Sequence, residues 1–215
     1  MEKDTESRFF RIDDKNSKTF VLDIADAWWS RKYEYEWAKQ FCEKNDVVLD
    51  AASGVHHPFK YLLAKNCKEV IASDSDKNIL SKKAIISKTK DILKTNIDEK
   101  FLEDFKNLSY VHSPLEKMPF DDKKFDKIFC ISVLEHTPRT IVDIFDEFNR
   151  ILKDDGMLVL TFDFPHIIPK QLEQIIDVKG FECVGDSNFE IPLHPLRQGA
   201  LFCFRMLLKK KGEDK

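Results

Sequence analysis

Two acidic residues at the ends of apolar runs carry the strongest chemical signal in this chain. The run VVLDA holds Asp50 and opens into the small residues Ala51, Ala52, Ser53 and Gly54; the run EVIAS opens into Asp74, roughly two dozen positions on. A buried strand ending in a carboxylate and a tight turn, then a second ending in a carboxylate, is how an α/β sheet shapes a crevice for a ribose-bearing ligand. An ionised Asp accepts two hydroxyl bonds, each charge-assisted. Small side chains let a ligand approach the backbone of the turn. Plainer uses exist for the same residues: Asp50 as a strand-end cap, Asp74 as a helix N-cap.

Other titratable residues are less specific. His136 follows the apolar run KIFCISV and suits either a general base or a hydrogen-bonded structural histidine. Glu135 beside it reads as a cap. Asp163 and His166 read as solvated loop residues after a later strand. His56, His57, His166 and His194 lack ligand spacing, so no metal site is expected. Arg31 stands one helical turn before Glu34; it suits a contact to a ligand carboxylate or a surface ion pair, and the pair is the expected reading. Trp28, Trp29, Tyr33 and Trp37 crowd the segment before the first strand, as core or as a lid over the crevice.

These groups need elements to position them. Strands are expected at residues 47–49, 70–73, 110–112, 127–133 and 157–162. Helices are expected from near Pro58 and over residues 77–88. Ile141, Ile144, Phe145, Phe148, Ile151 and Leu152 fall at helical spacing, and Gly156 is expected to stop that helix after Lys153. Pro169 opens a last helix that ends at Gly180. FECVG and LFCFRMLL follow with no helix between them, so they are expected to pair antiparallel. Alternating strands and helices imply a parallel sheet with right-handed crossovers.

The bulk numbers bound the function. The 215 residues suit one α/β domain, 1–215, with residues 1–45 as an N-terminal helical cap. A net charge of −3 offers no electrostatic pull toward nucleic acid, so none is expected as a partner. No apolar run approaches the roughly 18 residues that cross a bilayer, and the N-terminus lacks a signal peptide's apolar stretch. Cys42, Cys67, Cys130, Cys183 and Cys203 are widely spaced and odd in number. They read as reduced thiols of a cytoplasmic protein. Oligomeric state is not legible.

Gly54 is the only glycine before Gly156. A dinucleotide cradle and a P-loop are therefore unsupported. A ligand with a ribose but no phosphate needs less glycine, and S-adenosylmethionine is such a ligand. The sequence resembles the class I S-adenosylmethionine-dependent methyltransferases, type 11, over residues 47–208. The family's D-x-G-x-G-x-G motif falls on residues 50–56, where Gly54 keeps the middle glycine and His56 replaces the last. VIASDSDKNIL, VHSPLEKMPFDDKKFDKIFCISVLEHTP and EFNRILKDDGMLVLTF resemble the later motifs.

The resemblance implies a three-layer α/β, Rossmann-like fold. Its seven-stranded, mostly parallel sheet has the order 3-2-1-4-5-7-6, with strand seven antiparallel. It implies S-adenosylmethionine as cofactor and methyl transfer to a small-molecule acceptor, on oxygen or nitrogen. Asp50, Ala51, Ala52, Ser53 and Gly54 would line the donor. Asp74 would hold its ribose and Leu115 its adenine, with Ser75 also among the donor-binding residues. Ile131 and Ser132 would lie in the floor, and His136 would be the base. The donor is already activated, so alignment and desolvation are the protein's main tasks. Two rivals stand beside this expectation. One is a degenerate, non-catalytic member acting through partners; the other is an aminopropyl transferase or nicotinamide oxidoreductase.

Overall fold

The computed structural model describes residues 3–212. Its elements, in chain order, are β1 (Ser7–Phe9), α1 (Arg31–Ala38), β2 (Val47–Ala51), α2 (Phe59–Asn66), β3 (Glu69–Asp74), α3 (Lys82–Leu93), α4 (Glu99–Glu103) and β4 (Leu108–His112). There follow β5 (Phe125–Ile131), α5 (Ile141–Ile151), β6 (Leu152–Phe164), α6 (Pro169–Val178), β7 (Phe181–Cys183), β8 (Ser187–Asn188), β9 (Arg197–Gln198) and β10 (Leu201–Lys210).

One sheet holds the strands in the order β4-β3-β2-β5-β6-β10. The first five run parallel; β10 lies antiparallel to β6 from Phe202↔Phe164 to Lys209↔Met157. Both ends of β10's free edge are covered. β7 pairs near Lys210, β1 pairs at Arg8↔Arg205, and β8 adds to β1. The sheet has ten strands among the described residues rather than the expected seven: the expected order holds through β10, but beyond it the edge is shared by β7 with the short strands β1, β8 and β9. β1 spans three residues, too short to show an alternation, and β10's open edge supplies its partner. Residues before β2 thus hold one strand, one eight-residue helix and a 3-10 turn, Lys39–Phe41, rather than a purely helical cap.

The central strands are buried on both faces, as parallel strands under helices must be. Leu49, Ile128, Leu158 and Leu160 face α5 and α6, and Val48, Val70, Phe129 and Val159 face α1, α2 and α3, giving two cores in three layers. Ile141, Ile144, Phe145, Phe148 and Ile151 of α5 are all buried, the stripe read from their spacing. No helix of the described residues is long and apolar enough to cross a membrane.

Two boundaries differ from expectation. Lys77–Leu80 is a 3-10 turn, and extended backbone at Ser81 starts α3 afresh, its hydroxyl accepting from the Ala84 N–H at 3.2 Å. The helix α5 ends at Ile151 without help from Gly156. The ladder between β5 and β6 jumps from Phe125↔Leu152 to Lys127↔Met157, so residues 153–156 bulge opposite Asp126 alone. Lys153 anchors the bulge on Asp126 at 2.6 Å. A β-carbon at Gly156 would lie 2.7 Å from Leu152 Cδ1 and 3.0 Å from the Asp126 carbonyl oxygen. Gly156→Ala is expected to destabilise the protein by about 1–3 kcal/mol through overpacking, read by urea denaturation; an unchanged midpoint refutes the crowding.

Candidate active site

The parallel strands deliver their C-terminal ends to one edge of the sheet, where the crevice lies. After β2 the backbone enters left-handed space at Ala52 (φ 53°) and Gly54 (φ 63°). Such a turn needs external bonds to hold a non-glycine residue. The Ser53 N–H donates to the Ser73 carbonyl at 2.8 Å. The Gly54 N–H donates to Asp74 Oδ2 at 2.8 Å, and the Asp76 N–H donates to Asp74 Oδ1 at 2.7 Å. Asp74 thus ties the two strand-end turns together, while Asp76 is the N-cap. Each Asp74 oxygen retains a lone pair for a hydroxyl donor. A β-carbon at position 54 would come within 2.4 Å of the His57 ring, so glycine is required there.

Lys60, in the first turn of α2, lies under this turn with no solvent exposure. Its ammonium donates to the carbonyls of Gly54 (2.6 Å) and His57 (2.5 Å), with Ser53 at 3.5 Å. Burial pushes Lys60 down to about 8 against the pull of Asp50 and Asp74. Burial likewise pushes Asp50 up to about 7, Lys60 opposing and Asp74 adding to the rise. Asp50 is 3% exposed, and its Oδ2 has no hydrogen-bond partner among the described residues. No local signal in the sequence marks Lys60 as buried, since a lysine near a helix start reads as a solvated face.

An aromatic roof closes the crevice. Trp28 stacks on His57 at 4.1 Å and leans on His56 at 5.5 Å. The Tyr35 hydroxyl lies 3.0 Å from His57 Nδ1. Burial, then Arg31, holds His57 neutral well below the usual histidine range; burial, then Lys60, lowers His56 to about 4. The remaining cavity measures about 70 Å³ and is lined by Asp50, Ala51, Ala52, Ser53, Gly54, Ile131, Ser132 and Val133 below, with Arg31, Tyr35, His57 and Phe59 around them.

Beyond this cavity the ends of β5, β6 and β10 hold a second polar group. Glu34 is fully buried: its Oε1 accepts from the hydroxyls of Ser132 and Thr161, both at 2.5 Å, and from the Cys203 thiol at 3.5 Å. Its Oε2 pairs with Arg31 at 2.5 Å. The expected Arg31–Glu34 pair is real, but it is an interior bridge rather than a surface one. Burial works to raise Glu34, yet Arg31 and the two hydroxyls hold it below the usual carboxylate range. Glu135 and Asp163 stand nearby, each with a buried oxygen that has no partner. Burial raises Glu135 to about 8, with Asp163 and Glu34 adding to it, and raises Asp163 to about 6, with Glu34 adding. Neither is the cap or solvated loop residue that its neighbours in sequence suggest.

The remaining expected residues are dispersed. Leu115 is buried beside the sheet, and Ser75 is exposed, its carbonyl 3.0 Å from His112 Nε2. His136 is exposed on a 3-10 turn, Leu134–His136, and does not line the cavity. Its chain neighbour Glu135 buries its Oε2, although it too is not among the residues lining the cavity. Among the described residues no group of three or more His, Cys, Asp or Glu is arranged to hold a metal.

Residues 49–160, just over half of the chain, match the methyltransferase-domain family of type 11. The chain belongs to this family. A sterol 24-C-methyltransferase of Kluyveromyces lactis is 25% identical over 150 residues, 70% of this chain but 34% of that protein. The chain thus spans about a third of the length of the curated relatives it matches. A TehB-like S-adenosylmethionine-dependent methyltransferase from Corynebacterium glutamicum superimposes with a TM-score of 0.57 at 18% identity, covering 83% of this chain and 87% of that one. The 1,6-didemethyltoxoflavin-N1-methyltransferase of Burkholderia thailandensis was solved with 1,6-didemethyltoxoflavin and S-adenosylhomocysteine. It superimposes with a TM-score of 0.59 at 14% identity, covering 87% and 82%. At such identities these structures show a shared Rossmann-like methyltransferase fold.

S-adenosylmethionine is the donor of this family, and the walls of the crevice suit it. The unpartnered Asp50 oxygen faces a space that a cationic ligand end would complement, and Asp74 offers acceptors for a ribose. The volume is far below the roughly 300 Å³ of a ligand pocket. Arg31, Tyr35 and His57 fill the difference, so entry of a nucleoside requires the roof to shift.

The buried acids carry a pH signature. Asp50 and Glu135 retain protons in the fold that the unfolded chain gives up near pH 4. Their stabilisation is complete below that pH and is lost as pH rises through about 7 and 8. Between pH 6.5 and 8, the protein is expected to lose on the order of 1–2 kcal/mol of stability, read by urea denaturation. Glu135→Gln is expected to shrink that loss; a flat profile in the parent removes the burial argument.

Proposed function

We propose that this protein transfers a methyl group from S-adenosylmethionine to a small polar acceptor carrying an N–H or O–H. The observation that carries the reading is the clustering of unpartnered buried polar atoms at one edge of the sheet: Asp50 Oδ2, Ser53 Oγ, Ser73 Oγ and His56 Nδ1 on the donor side, Glu135 Oε2 and Asp163 Oδ1 beside it. Each such atom costs about 1–3 kcal/mol when left unpaired, and a folded chain tolerates several together where a ligand completes them.

Bound at this turn, S-adenosylmethionine supplies a methyl group already activated on a sulfonium. Residues 51–54 and Asp74 hold the nucleoside, Asp50 faces its cationic end, and Ile131 and Ser132 form the floor. Glu135 takes the acceptor's proton on its free Oε2, and Asp163 completes the polar wall. The raised pKa of Glu135 matches a base that works near neutral pH. This assigns to Glu135 the role that the motif suggested for His136: the His136 ring is exposed, whereas Glu135 has a buried, unpartnered oxygen. A charged, hydroxyl-lined wall supports a polar acceptor over the apolar one named for the sterol-methylating relative. The net charge of −3 and the five free cysteines support a small molecule rather than nucleic acid as partner, and a cytoplasmic setting.

One observation favours a second reading. The roof over a 70 Å³ cavity suits a member that has lost turnover and works through partners. Calorimetry with S-adenosylhomocysteine, followed by turnover on a panel of amines and alcohols, separates the two. Binding with turnover supports the enzyme; binding without it supports the regulator.

Two variants sharpen the assignment. Asp74→Ala is expected to weaken S-adenosylhomocysteine by more than about tenfold, through loss of charge-assisted bonds to ribose and of the clamp on Gly54; an unchanged Kd removes Asp74 from the site. Glu135→Gln is expected to lower kcat by at least about a hundredfold with Kd for S-adenosylhomocysteine held within about threefold. Full activity in that variant excludes Glu135 as the base.

A further inference from the structure

The donor turn is held by a cation that no motif predicts. Lys60 sits in the first turn of α2, where the helix dipole disfavours positive charge, and it is fully desolvated. Such a placement persists only if the ammonium is strongly engaged. It is: three main-chain carbonyls of residues 53–57 converge on Nζ, two of them at 2.5–2.6 Å. The segment they belong to carries the Gly54 N–H that meets Asp74, and it runs beside Asp50 and its unpartnered oxygen. A chain with several glycines here could bend the turn without a side-chain clamp; this one has only Gly54.

We propose that Lys60 is a positioning residue for the methyl donor, pinning the carbonyls of residues 53–57 so that the turn and Asp74 keep the shape that receives the nucleoside. The inference rests on the donor-site reading above. Lys60 touches no donor atom in this scheme; it acts through the turn.

The groups facing Lys60 are Asp50 from β2, Asp74 from β3, His56 and His57 from the turn, and the Tyr61 ring on its own helix, with Lys88 of α3 and Arg31 of α1 reaching the two histidines. Both imidazoles stay neutral above pH 7. The ammonium is the cation that changes state between pH 7 and 9, since burial brings it down to about 8. Loss of its proton removes the charge from the clamp.

The test is calorimetric titration of S-adenosylhomocysteine at pH 7 and pH 9 into the parent protein, Lys60→Met and Lys60→Arg, with circular dichroism to confirm folding. At pH 7, Lys60→Met is expected to bind more than about tenfold more weakly than the parent. Parent affinity is expected to fall between pH 7 and 9 more steeply than that of Lys60→Arg, whose guanidinium stays charged. A folded Lys60→Met with parental affinity overturns the inference and leaves the donor site intact. If Lys60→Met does not fold, the arginine comparison decides: parallel pH dependences overturn the inference, and a flatter arginine curve supports it. Absence of binding by the parent overturns both readings together.

Discussion

Glu34 is the buried charge around which the crevice is assembled. One carboxylate of α1 receives hydroxyls from the ends of β5 and β6, a thiol from β10 and a guanidinium from its own helix. Taking a carboxylate out of water is costly unless it is paired and fully hydrogen-bonded. Glu34 meets that condition, and in doing so it fastens the N-terminal segment across the C-terminal ends of the strands. Arg31, Tyr35 and Trp28 are thereby brought over the donor turn. The roof and the floor are one hydrogen-bonded unit, so the size of the cavity follows from the pairing of Glu34.

The donor turn solves a related problem with different chemistry. Its backbone carries positive φ at Ala52, which costs energy without glycine. Asp74 supplies acceptors for two N–H groups and Lys60 supplies donors for the carbonyls, so the turn is held from both sides. Lys60 and Asp50 also offset one another's burial, while Asp74 adds to the rise of Asp50. What is left without a partner, chiefly an oxygen of Asp50, points at the cavity. Function and stability conflict at this edge: each unpaired atom weakens the empty fold and is available to a ligand.

The two cores explain how the sheet bears this load. Side chains of the central strands alternate between the α5–α6 face and the α1–α2–α3 face, and both sets are buried. The covered strands cannot slip register without placing apolar side chains in the wrong layer. The strand ends are fixed as a result, and polar side chains at those ends converge without further constraint.

Much of this was determined by the sequence itself. Apolar runs ending in Asp50 and Asp74, the helical spacing from Ile141 to Ile151, and the paired closing strands follow from periodicity and from turn residues, which are local properties. They imply alternating strands and helices and a crevice at the strand ends; the strand order and the donor were implied by the family resemblance instead. What only the tertiary structure decided depends on distant chain segments meeting. Three residues of β1 become a strand because β10 offers an edge. Residues 153–156 become a bulge because Asp126 and Leu152 occupy the space around Gly156. Lys60 is buried because two strand-end acids and three carbonyls surround it. Glu135 rather than His136 has a buried side-chain oxygen, although both sit on one 3-10 turn. Burial of charge is a sum over neighbours far apart in the chain, and no residue's type or spacing states who those neighbours are.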